Sequence, residues 1–96
     1  MNIISFYVLM QVIQNLQQAK KLVRDSSKMR QDERELALEL ATSLCEQVLS
    51  NAKRWQISIN DALTKNPDNQ AWANYYLVLG IETETKQILG SCKTDC

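Results

Sequence analysis

Apolar side chains recur at steps of three and four residues along nearly the whole chain, and the places where that rhythm stops divide it into three stretches. The clearest stretch is the middle one. Ala37, Ala41, Leu44, Val48, Ala52, Trp55, Ile59 and Ala62 take seven steps across 25 residues, about 3.6 residues per step, which is the α-helical repeat. One helix from Asp32 to Thr64 is expected, with Glu39, Glu46, Lys53 and Asn60 facing outward. Leu36 and Leu40 on one flank, with Leu38, Cys45 and Leu49 on the other, widen its apolar arc beyond what one neighbour covers. The middle helix should therefore touch two others.

The first stretch predicts a helix from about Asn2 to Arg24, with Phe6, Leu9, Ile13, Leu16, Ala19 and Val23 facing inward. Asp25-Ser26-Ser27 interrupts it, because these short polar side chains compete for backbone hydrogen bonds. Ser27 or Asp32 is placed to cap the second helix, Asp32 with Glu35 at capping-box distance. At the second corner Asn66 is a good cap, Pro67 suits the first helical position and Asp68 puts a negative charge in the first turn. The third helix is expected from Pro67 to about Leu89, with Ala71, Tyr75, Val78, Ile81, Thr85 and Leu89 inward and Gly90 as its stop. Gly80, in mid-helix, suggests a close helix approach or a slight bend.

The expected fold is all-α: an antiparallel three-helix bundle, dimeric, formed by residues 1–90 as one domain with a flexible polar tail at 91–96. Length introduces a tension. The middle helix would be ~50 Å long and the others only ~33–35 Å, so either a second chain covers an overhang or the helix breaks near residues 56–58, where Ser58 could cap a short fourth helix.

Composition narrows the chemistry. The chain has 96 residues with 11 basic and 11 acidic side chains, two Gly, one Pro and no His. So little punctuation argues against sandwiches, barrels and Rossmann units. The absence of His removes the commonest general base, the Ser-His and Cys-His nucleophile pairs and the commonest transition-metal ligand. No phosphate loop, CxxC pair or other catalytic signature is present. No enzyme activity, cofactor or metal site is expected. Cys45 reads as a small core residue, while Cys92 and Cys96 fall in the polar tail as thiols, with a disulfide between them the lesser reading. Ten of the first 13 residues are apolar, yet no basic residue precedes Lys20 and no small-x-small cleavage pattern follows, so neither export nor a membrane span is expected and the setting is cytoplasmic.

Where charge is missing is more telling. Residues 1–19 and 69–81 carry none, and in an up-down-up bundle both segments lie at the end that also holds Trp55, Ile57 and Ile59. With Leu9 and Val78 inward, Ile4, Tyr7 and Val8 on the first helix and Trp72, Tyr76 and Leu79 on the third point away from the core. Surplus rings flanked by Gln and Asn have the composition of an interface centre. These six residues are the expected partner-binding set, for the chain's own copy or another protein, in a small adaptor, chaperone, inhibitor or immunity-type module. The alternative reading is weak nucleic-acid binding by Lys20, Lys21, Arg24, Lys28 and Arg30, whose local net charge with Asp25 is +4. A solvated cluster complementing the helix dipole explains those charges more simply.

Two corner resemblances complete the reading. Ala62-Leu63-x-x-x-Pro67 followed by Ala71-Trp72 is similar to the corner between two tetratricopeptide repeats, although no 34-residue period runs through the chain. Pro67-Asp68-Asn69-Gln70-Ala71 resembles the turn of helical-hairpin needle subunits of type III secretion. The first covers the eleven residues from Ala62 to Trp72 and the second a handful, and no family is assigned from them.

Overall fold

The computed structural model describes residues 4–93. They form three helices and no strand: α1 (Phe6–Ser26), α2 (Gln31–Lys65) and α3 (Asn69–Lys93). The Cα envelope measures 52 × 24 × 16 Å. Its long dimension is that of α2, whose 35 residues rise ~1.5 Å each. α1 folds back along α2 from one end and α3 from the other, and each packs far more extensively on α2 than on its fellow. The length mismatch is thus resolved by a rod, with α2 as its spine.

Each corner has a local cause. α1 ends where Ser26 Oγ donates to the Val23 carbonyl (2.6 Å) and Ser27 Oγ to that of Arg24 (3.2 Å). Lys28 N and Met29 N then donate to the carbonyls of Asp25 and Ser26, tightening the last turn. Arg34 Nε donates to the Ser26 carbonyl at 3.1 Å and ties the start of α2 to the end of α1. Neither Ser27 nor Asp32 caps α2. Arg30 occupies the cap position with no side-chain cap bond, and its guanidinium instead holds Glu33 at 3.1 Å. Asp32 and Glu33 supply the negative charge the first turn favours.

At the second corner Pro67 disfavours helical backbone at the residue before it, and Asn66 leaves the helix at φ −155°, ψ 82°. Asn66 therefore closes α2, and it is Asp68 that caps α3, its Oδ1 accepting the Ala71 N–H at 2.8 Å.

The core is a single cluster. α1 supplies Val12, Leu16 and Ala19, α2 supplies Ala41, Cys45, Val48, Ala52, Trp55 and Ile59, and α3 supplies Val78, Ile81 and Ile88. α2 is continuous through residues 56–58, because Trp55 and Ile59 are both buried and Gln56 donates to Glu82 across the α2–α3 seam. Cys45 is the small core residue its position implied. Leu36 and Leu40, by contrast, are exposed, since α1 and α3 cover a narrower arc of α2 than its apolar residues span.

Four expectations are corrected. α1 departs from the expected phase only in its first half, where Val12 is buried while Phe6 and Ile13 are exposed; Leu16 and Ala19 are buried and Leu9 and Val23 pack on the core as expected. Ile4 lies just before α1 and is a core residue, 3% exposed, and Val8 packs against the core from one side. α3 does not stop at Gly90 but runs through Lys93, because Cys92 still finds core to pack against. Gly80 makes no close approach, since a Cβ there would meet nothing within 4 Å. The expected helix start at Asn2 and the Cys96 end of the polar tail lie outside the described residues.

A candidate interaction surface on α1 and α3

Ala71, Asn74, Val78, Ile81, Thr85 and Ile88 are the buried positions of α3, at alternating steps of three and four. That seam fixes what points the other way. Trp72, Tyr76, Leu79 and Thr83 fall on the opposite face by the helical period, and all four are exposed. Trp72 is 45% and Tyr76 63% accessible. Their rings stack, with centroids 6.2 Å apart and planes at 29°. Tyr75 packs against the core and meets Trp72 and Tyr76 edge-on at 5.9 and 5.4 Å. The result is a three-ring ladder with one ring anchored and two presented.

Of the six residues expected to bind a partner, Trp72, Tyr76, Leu79 and Tyr7 are exposed, and Tyr7 accepts a bond from Gln11 Nε2 at 3.3 Å. Ile4 is removed from the set by its burial, and Val8 is only half available. The first half of α1 brings out Phe6 and Ile13, which the sequence reading turned inward, together with Met10, which that reading assigned to neither face. Phe6 (75% exposed), Met10 and Ile13 form an outward apolar stripe at steps of four and three. Leu77 on α3 and Ile57 on α2 are exposed as well. The signal for the α1 stripe was present as a second 4–3 rhythm beside the buried one.

Asn74 was not singled out by sequence reasoning. It occupies a core position near the start of α3 and is 5% exposed. Its Oδ1 accepts from Gln70 Nε2 at 3.1 Å, whereas its Nδ2 has no hydrogen-bond partner. A buried polar side chain on a heptad-like seam trades stability for register.

The basic cluster is largely engaged within the chain. Lys20 pairs with Glu84 of α3, Arg24 faces Asp25 at 3.6 Å and Arg30 faces Glu33 at 3.1 Å. Lys21 and Lys28 are exposed.

Along the α2–α3 seam run two shallow grooves, an acidic one lined by Glu35, Leu38, Glu39, Thr42, Glu46 and Cys92 among others, and one of mixed charge lined by Leu49, Lys53, Gln56, Glu82 and Lys86 among others. Among the described residues no three His, Cys, Asp or Glu side chains are grouped to hold a metal ion. No described helix is long and apolar enough to cross a membrane. Burial, then the neighbouring Cys92, then Glu46 push the Cys45 thiol up from 9.0 to about 11. In comparisons with known proteins, the chain matches no family model, no curated protein and no solved structure.

Proposed function

We propose that this chain is a small helical interaction module that works by shape and apolar burial rather than by catalysis. The observation that carries the reading is the ladder of Trp72 and Tyr76, exposed on a helix face that bears no charge from residue 69 to residue 81. Soluble monomers rarely leave contiguous apolar surface uncovered beyond a few hundred Å², and Trp and Tyr are the side chains most enriched at the energetic centres of interfaces.

The partner favoured here is a second copy of the chain. A two-fold interface sets the same patch against itself, so a charge near the axis meets its own copy. A patch without charge carries no such penalty. Trp72, Tyr76 and Leu79 would form the centre of the contact, with Tyr7 and the Phe6-Met10 stripe of α1 beside them. In this reading the chain is a cytoplasmic homodimer or an adaptor, chaperone, inhibitor or immunity-type subunit built on one.

Trp72→Ala and Tyr76→Ala test the reading. Each should weaken association at least ~30-fold, the equivalent of about 2 kcal/mol, while the circular dichroism spectrum stays helical. Loss of helicity in step with association would assign both rings to the core instead.

A further inference from the structure

We propose that Cys45 and Cys92 form a peroxide-responsive thiol pair, whose oxidation joins the middle of α2 to the last turn of α3. The two cysteines lie on facing sides of one seam. Cys45 is wholly buried on the core stripe of α2, and Cys92 packs from α3 against the cluster to which Cys45 belongs. Cys92 also lines the groove formed by Thr42 and Glu46, which precede Cys45 by one turn and follow it directly. Gln56 of α2 donates to Glu82 of α3, and carried along these antiparallel helices that register sets Cys92 opposite residues 45 and 46.

The two thiols have different parts. Cys92 is half-buried and reaches solvent, so it meets the oxidant first. Cys45 is held protonated by burial and by Cys92 itself, which protects it from direct oxidation but leaves its sulfur beside any oxidised Cys92. The Cys92 thiolate attacks the O–O bond of a peroxide, takes one hydroxyl as a sulfenic acid and releases the other oxygen as water. Cys45 sulfur then displaces the sulfenic hydroxyl, and the thiol proton passes to that hydroxyl, which leaves as a second water. Two thiols become one disulfide and one hydrogen peroxide becomes two waters. The bond fastens the end of α3 to the centre of the spine, and it does not depend on the proposed dimer surface.

Peptide mapping of the full chain after mild hydrogen peroxide treatment tests the proposal. Trypsin cleaves after Arg34, Lys53, Lys86 and Lys93 and so puts Cys45, Cys92 and Cys96 on separate peptides. The expected result, without reductant, is loss of two free thiols and a cross-linked pair of the Cys45 and Cys92 peptides within one chain, unchanged in Cys96→Ser. In Cys45→Ser, Cys92 should instead persist as a sulfenic acid captured by a 1,3-diketone probe. A Cys92–Cys96 bond, a cross-link between chains, or Cys92 driven to sulfinic acid while Cys45 remains a free thiol would overturn it.

Discussion

Trp72 and Tyr76 stand four residues apart on α3, ring centroids 6.2 Å apart and planes 29° from parallel, on the side away from Val78, which is 1% exposed. Each ring restricts the other, and Tyr75 braces both from the core side. Rings already ordered in the free chain lose little conformational freedom on binding, so more of the energy of burying them appears as affinity.

Asp68→Ala removes the carboxylate that accepts the Ala71 N–H at 2.8 Å. The loss should be about 1 kcal/mol, as for other N-caps, read as a lower urea midpoint at constant slope. Asn66→Ala should change stability by less than ~0.5 kcal/mol, because Asn66 only ends α2. Equal effects at the two positions would return the cap to Asn66.

Gly80→Ala should stabilise the chain by about 1 kcal/mol. The added Cβ meets nothing within 4 Å and the position is exposed in mid-helix, so only backbone entropy is at stake. Chemical denaturation measures it, and a destabilised variant would mean that another chain closes on the glycine.

Asn74→Leu removes a buried amide whose Nδ2 lacks a partner. Gln70, which it leaves behind, is exposed and can turn to water. A gain of about 1 kcal/mol or more is expected in thermal or chemical denaturation. A comparable loss would reveal an unseen partner for that amide.

Cys45 makes stability depend on alkaline pH. Its folded pKa of about 11 lies above the ordinary thiol value of 9.0, so unfolding releases its proton across that window. The stabilisation is complete below pH 9 and declines as pH rises toward 11, by about 2 kcal/mol. Urea midpoints of the wild type and Cys45→Ala compared across that range should converge. Parallel curves would place the thiol in a wetter setting.

How much of this could be read in advance varied with how one-sided each helix is. α2 alternates apolar and polar residues so regularly that its phase and buried Cys45 follow from spacing, whereas its continuity through residues 56–58 did not, because length alone left a break there open. α1 carries Phe6, Tyr7, Val8, Leu9, Met10, Val12 and Ile13 around its whole first half. Two phases fit that half by periodicity, and packing against α2 buried Val12 rather than Phe6 and Ile13, while Leu16 and Ala19 are buried as expected. That choice also took Ile4 out of the expected binding set. On α3 the outward rings were legible because Val78 and Ile81 fix the inward side. Its extension past Gly90 was not, since the gain comes from Cys92 reaching core supplied by residues distant in sequence.

The central claim is that the uncharged aromatic face of α3 covers itself with a second copy. Light-scattering mass across a concentration series tests it most directly. The account predicts a mass moving from one chain toward two as concentration rises, with Trp72→Ala remaining at one under the same conditions. A wild-type chain that stays at one chain's mass throughout the series, with Trp72→Ala indistinguishable from it, would contradict the account.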